Sequence, residues 1–195
     1  TLQGCYEKYT MDYDYSAAYV AYQYDLRTFV IGEQMKFDFT VALGGVVNND
    51  RDRAVRISID DALLTNDLSV FAEEGSDVGN FTALDGLLGK APFGTVCQSY
   101  VTKEVEAQKL DVLTPLPASY YQTSALESSI RKGRHTATVT VSAKDEILGD
   151  EKALKPYYAL GFKVSEADAD VLLREKSFAI IAIKCEHRFW GNWYH

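Results

Sequence analysis

The chain has 195 residues, 47% of them hydrophobic and 25% charged, and twenty basic against twenty-eight acidic side chains give a formal net charge of −8. A chain of this length suits one sizeable core that hides about 70% of the unfolded surface, and ordinary apolar and charged usage excludes wholesale disorder. The acidic balance repels phosphate backbones and anionic lipid and so argues against nucleic acid as a partner, while no apolar run approaches the roughly 20 residues of a membrane helix.

Residues 1–11 read as an N-terminal tail. Within it Leu2-Gln3-Gly4-Cys5 has the form of a bacterial lipobox, in which a small residue precedes the cysteine that receives lipid, so Cys5 is the candidate lipid-attachment residue. An ordinary cysteine is the alternative, because no basic and apolar signal segment precedes it. Cys5, Cys97 and Cys185 are too few and too scattered for a disulfide scaffold or a zinc knuckle. One bridge with a spare thiol stays open.

From residue 12 the pattern is that of one domain running to 188. Tyr13, Tyr15, Tyr19, Tyr22 and Tyr24 alternate through the first strand region and are expected to pack in the core and across strands. Asp12 and Asp14 share a face, but the other positions of a calcium loop are missing and no metal is expected there. Gly44-Gly45 follows a strand without the lysine of a phosphate loop and reads as a bulge or a close approach of backbones. Asn48-Asn49-Asp50-Arg51-Asp52 is a turn, since Asn and Asp bond their own main chain and tolerate left-handed backbone. It predicts a hairpin over 41–59, whose second strand sends Val55, Ile57 and Ile59 to one buried face.

Short helices are predicted over Asp60 to Leu68 and over Ser165 to Arg174, the latter with Ser165 and Asp168 as a capping box. The segment 72–111 is rich in Gly and acidic residues, lacks a sustained period, and reads as a long insertion, the least rigid internal part of the chain. Pro115 and Pro117 make a connection or a sheet edge. Tyr120-Tyr121 is expected to pack, Arg131 to Arg134 to turn, and 136–142 to form a strand with Ala137, Val139 and Val141 inward. Phe178 to Lys184 is apolar enough for a central strand buried on both faces. Together these elements predict a mainly all-β fold, an antiparallel β-sandwich with one or two short helices and with Val55, Ile57, Val139, Val141 and Ile181 inside.

Catalytic chemistry is thinly represented. His135, His187 and His195 lie outside any metal-protease or Ser/His/Asp context, and Asp60-Asp61, Glu73-Glu74 and Asp145-Glu146 are neighbours that would point to opposite faces of a strand. These carboxylates are expected to be solvated surface charge, and neither an enzyme nor a cofactor is expected. Aromatic residues are the stronger signal, with thirteen Tyr, nine Phe and two Trp. Sugar rings stack their apolar faces on Trp and Tyr while polar neighbours bond the hydroxyls. The terminal run Phe189-Trp190-Gly191-Asn192-Trp193-Tyr194-His195 has that composition, which makes Trp190, Trp193 and Tyr194 the candidate glycan-binding residues. The competing reading is that 189–195 begins a linker and that its rings contact a following C-terminal domain.

Six phrases stand in fixed order: DYDYSAAYVAYQYDLRTFVIGE (12–33), ALGGVVNNDRDRAVRISID (42–60), LTPLPASYY (113–121), IRKGRHTATVTVSAKD (130–145), ALKPYYALGFKV (153–164) and FAIIAIK (178–184). In order and wording the chain resembles the N-terminal adhesin-like domain of Bacteroidetes surface lipoproteins. That domain, of unknown function, is often encoded in polysaccharide-utilisation loci and also precedes family 18 glycosidase modules. The resemblance implies an immunoglobulin-like sandwich, export, and a place at the cell surface or outer membrane, facing the exterior, with the membrane touched only through a lipid anchor. It also implies a non-catalytic module that binds glycan or oligosaccharide or adheres to a surface. The alternatives are an accessory N-terminal domain of a glycosidase and a module that docks an outer-membrane protein. Two features depart from the family: the 72–111 insertion, and HRFWGNWYH where members commonly carry an Asn-Pro-Tyr-His-Gly-like phrase.

Overall fold

A computed structural model of the chain describes residues 14–187. Cys5, Asp12, Tyr13, Trp190, Trp193, Tyr194 and His195 lie outside the described residues. Two sheets face one another. The first has the order β10 (Val171–Leu172), β1 (Ala17–Val20), β3 (Lys36–Gly44), β8 (Thr136–Ala143), β6 (Tyr121–Thr123). The second has the order β2 (Tyr24–Ile31), β11 (Phe178–His187), β9 (Tyr158–Ala167), β4 (Arg53–Ile59), β7 (Glu127–Ile130), with β5 (Thr114–Pro115) beside β9. The order β1-β3-β8-β6 against β11-β9-β4 is that of the A-B-E-D and G-F-C sheets of an immunoglobulin fold. Strand β2 adds in parallel to β11 and the remaining large pairings are antiparallel.

The period-two segments form this way because their alternate apolar residues have one dry face to fill. Val55, Ile57, Val139, Val141 and Ile181 are all buried between the sheets, where Phe39 and Phe162 stack at 4.4 Å. β11 is buried on both faces, as its composition predicts. Ala179, Ile181 and Ile183 enter the inter-sheet core, while Phe178, Ile180 and Ala182 enter a second core on the outer side of the sheet.

That second core corrects the reading of 72–111 as a loose insertion. The segment folds into α1 (Ala83–Leu87) and α2 (Ser99–Glu106), and Phe81, Ala83, Leu87, Val101 and Val105 bury themselves against Tyr24, Leu26, Ala159, Phe178 and Ile180. α1 begins on a capping box in which Thr82 and Asp85 satisfy each other's backbone. Gly86 is there for space, since a Cβ at that position would lie 1.9 Å from the Tyr24 ring.

Four further expectations need correction. The turn at 48–52 does not close a hairpin: β3 and β4 belong to opposite sheets, and the turn carries the chain from one to the other. The predicted helix over Ser165 to Arg174 is instead the end of β9, then β10 and a short 3-10 turn at Arg174–Lys176. There the Ser165 hydroxyl donates to Arg56 O across the sheet rather than capping a helix. Asp60 to Leu68 forms two 3-10 turns, Asp61–Leu64 and Leu68–Phe71, capped by Asp60 and Asp67. Of the N-terminal tyrosines among the described residues, Tyr24 is core, Tyr15 and Tyr22 are exposed, and Tyr19 is half-buried, lying across Gly44. Gly44 and Gly45 do mark a close approach, and Gly45 has φ +83 with Tyr15 O directly against it. Cys97 and Cys185 are both free thiols.

Candidate ligand groove at the end of the last strand

The geometry at the end of β11 follows from where its outer cover stops. Up to Ala182 the outer face is roofed by apolar residues of the insertion. Beyond it α2 turns Val101 and Val105 inward, so Glu104 and Gln108, one turn apart, share a different face. Lys184 and Glu186 come up to meet them. The Lys184 ammonium lies 3.3 Å from Glu104 and 2.5 Å from Glu186, with only 12% of its side chain exposed. Burial works against its charge, but the hydrogen bonds and charges of Glu186 and Glu104 outweigh it and hold the ammonium above its ordinary pKa.

A third wall comes from the 3-10 turn Glu151–Leu154 and the two residues after it. Between these elements lies a groove of about 750 Å³, lined by Glu104 and Gln108, by Lys152, Leu154, Lys155 and Pro156, and by Lys184 to His187. Leu154 is 49% exposed and gives the groove an apolar edge, with buried Pro156 beneath it. Lys152 is poised over the Tyr157 ring at 5.1 Å. Cys185 turns away into the core, where burial pushes its thiol up to about 11.

The turn that builds the third wall is stapled by one carboxylate. Asp150 accepts from the hydroxyls of Tyr158 at 2.5 Å and Tyr120 at 3.2 Å, and from Lys152 N at 2.9 Å. These bonds, that from Tyr158 first, hold the Asp150 carboxyl below the usual carboxylate range. Desolvation and the same carboxylate raise both phenols. Tyr120-Tyr121 is therefore packing, as expected, and its phrase and the PYY phrase meet at one side chain.

A second staple sits at the opposite end of the sandwich. Asn49, fully buried, donates to Arg131 O and Arg134 O at 3.0 Å each and accepts from Arg53 Nε at 2.8 Å. Arg53 in turn donates to Asp168 O, and the Ser16 hydroxyl donates to Asp170.

Neither staple has a catalytic geometry. His135 Nε2 lies 3.2 Å from Val46 O, and His187 lines the groove. Among the described residues no three His, Cys, Asp or Glu side chains converge as metal ligands. Of the predicted site residues, Trp190, Trp193 and Tyr194 follow His187 closely in sequence but lie outside the described residues, as does Cys5. Sequence reasoning did not find the groove itself, because Glu104, Gln108, Lys155 and Lys184 belong to no shared motif and come together only through the fold.

The chain is thus an immunoglobulin-like β-sandwich bearing a helical insertion on one sheet. In fold it is similar to proteins of unknown function from Bacteroides. One from Bacteroides ovatus superposes with a TM-score of 0.62 at 21% identity, over 90% of this chain and 53% of that one. A multidomain Bacteroides ovatus protein that includes DUF1735 superposes at 0.50 with 11% identity, over 91% and 47%. A third Bacteroides ovatus protein, itself proposed to bind carbohydrate, gives 0.43 at 16% identity over 86% and 37%. The chain spans about half the length of the first of these or less of the others. No protein-family model and no curated protein matches the sequence.

Proposed function

We propose that this chain is a non-catalytic, glycan-binding module of an exported protein, held at the bacterial cell surface through lipid on Cys5 and facing the exterior. The observation that supports this most is the make-up of the groove at the end of β11. It sets an exposed apolar side chain, Leu154, beside donors and acceptors of both kinds, Gln108, Lys155, Glu186 and His187. An oligosaccharide needs that pairing: its ring faces are apolar and its hydroxyls both give and take hydrogen bonds. Trp190, Trp193 and Tyr194 come next in the chain and would supply stacking surfaces.

Isothermal titration against a panel of bacterial and plant oligosaccharides tests the reading. Gln108→Ala with Lys155→Ala should weaken binding about tenfold or more while leaving the thermal midpoint within about 2 °C, since both are surface substitutions. Trp190→Ala with Trp193→Ala should abolish it. Binding unchanged in both variants would place the glycan site elsewhere.

A second reading has the same groove seat the following domain of a longer protein, favoured by the exposed Leu154 in the wall. In that case a two-domain form should protect the groove from hydrogen exchange and Leu154→Asp should release the domains.

A further inference from the structure

One turn nearer the start of α2 than Glu104 stands Tyr100, 42% exposed. Tyr100, Glu104 and Gln108 follow one another at intervals of four residues, so they form one stripe, set to the side of the inward pair Val101 and Val105. The ring is tethered, because its hydroxyl donates to Leu26 O at 3.4 Å on the edge strand β2. In the ladder of β2 with β11, Leu26 lies opposite Ala182 and Thr28 opposite Lys184. Tyr100 therefore stands on the same side of α2 as the ion pair of Glu104 with Lys184.

Electrostatics agrees with that placement. Burial raises the Tyr100 phenol and Asp25 raises it further, while Arg27 and Lys184 act the other way, so both cations lie within reach of the hydroxyl. Arg27 is paired with Asp25 at 2.7 Å and keeps 41% of its side chain exposed. Three other rings near the surface, Tyr19, Phe71 and Tyr157, each carry a lysine ammonium, that of Lys176, Lys163 or Lys152. Among the described residues no such cation covers Tyr100.

We propose, resting on the glycan-binding reading of the groove, that the site continues past Glu104 onto Tyr100 and takes a linear, uncharged oligosaccharide laid along α2. One pyranose stacks on the Tyr100 ring, and the units after it bond to Glu104, Glu186 and Gln108. Stacking suits Tyr100 because a partly exposed ring fixed at its hydroxyl presents apolar surface with little freedom left to lose. Length follows from the helix: at about 1.5 Å of rise per residue the stripe from Tyr100 to Gln108 runs about 12 Å. A single pyranose does not cover that distance, and a chain of linked units does.

Charge selects the class. Glu104 and Glu186 share the one ammonium of Lys184, which leaves the middle of the stripe net negative. A uronate there would be repelled, whereas the hydroxyls of a neutral sugar would donate to the carboxylate oxygens in charge-assisted bonds.

The test is isothermal titration of the whole chain with neutral β-linked gluco-, xylo- and manno-oligosaccharides of one to four units, with oligogalacturonates of the same lengths as the acidic control. Affinity for at least one neutral series should rise about tenfold or more from one unit to three, and the galacturonate of equal length should bind at least about tenfold more weakly. Tyr100→Ala should remove most of that rise, and Tyr100→Phe, which keeps the ring, should retain it. Tyr100→Leu, which keeps apolar bulk on the helix but offers no ring, should bind like Tyr100→Ala and melt within about 2 °C of wild type.

A wild type that binds no oligosaccharide would overturn the glycan reading of the groove and this extension with it. If Gln108→Ala with Lys155→Ala weakens binding while Tyr100→Ala and Tyr100→Leu do not, the groove holds sugar without this platform and the extension alone is wrong. Affinity already complete for one unit, or galacturonate bound as tightly as the neutral series, would likewise overturn it.

Discussion

Asn49→Ala is the substitution that most sharply tests how this sandwich is held together. The side chain gives two hydrogen bonds to the carbonyls of Arg131 and Arg134 and takes one from Arg53 Nε. Two neutral bonds at about 1 kcal/mol each and one to a guanidinium at about 1.5–3 give a loss of about 3–4 kcal/mol once some water re-enters the turn. Arg53 is only 6% exposed and would keep Asp168 O and the Ser16 hydroxyl as acceptors, so the charge is weakened rather than orphaned. Urea unfolding should show that loss with an unchanged m-value, and the midpoint of melting should fall by about 6–16 °C. A double-mutant cycle with Arg53→Met should return a coupling of about 1–2 kcal/mol. A loss under about 1 kcal/mol, or strict additivity with Arg53→Met, would refute the view that this asparagine ties the two sheets together across the 48–52 and 131–134 turns.

Three shorter predictions follow from the charges and thiols. Asp150 is held below the carboxylate range by its Tyr158, Lys152 and Tyr120 bonds. Its contribution is therefore complete above the unfolded value near 3.9 and is lost as pH falls through the lower folded value. The stability gap between wild type and Asp150→Asn should be widest near pH 6–7 and close toward pH 3, whereas a gap that widens on acidification would contradict this. Asp25→Asn should show the opposite slope, since burial raises that carboxyl. A thiol reagent at pH 8 followed by peptide mapping should modify half-buried Cys97 before Cys185, which should react only on unfolding because burial pushes it up to about 11.

What was legible in the sequence was what period two and side-chain size decide. The 53–59, 136–142 and 178–184 strands, their inward residues and the sandwich all follow from alternation. Partnership did not, because a turn rich in Asn and Asp looks the same whether it closes a hairpin or crosses between sheets. Here Asn49 is buried bonding the 131–134 turn, which no local pattern announces. Ser165 to Arg174 misled because Ser and Asp at capping spacing also suit the polar end of an exposed strand, and long-range pairing of β9 with β4 prevailed. The alternating tyrosines misled for a related reason: Tyr15 and Tyr22 fall where the chain enters and leaves the short β1 and stay exposed there. The segments 113–121 and 153–164 meet at Asp150, and 42–60 meets 130–145 at Asn49, contacts that follow from the fold and not from any one segment. The groove could not be read because it draws its lining from segments far apart in the chain.

The strongest misreading, of 72–111 as a loose loop, also yields the most consequential prediction. Replacing 74–110 by a short Gly-Ser linker would uncover Tyr24, Leu26, Phe178 and Ile180, each at most 2% exposed. At about 1.5–3 kcal/mol for each large side chain, that is roughly 6–12 kcal/mol, comparable to the whole stability of a typical domain at about 5–15 kcal/mol. The shortened chain should therefore fail to give a cooperative melt and should bind a hydrophobic dye, even though every strand of the sandwich is retained. A deletion variant that melts within a few degrees of wild type would show that the insertion is only an appendage. On the structure it is the second half of the core, and it also carries α2, whose Glu104 borders the groove at the end of β11. Sequence change within 72–111 is then constrained on its buried side by Phe81, Leu87, Val101 and Val105, and free on its outer side.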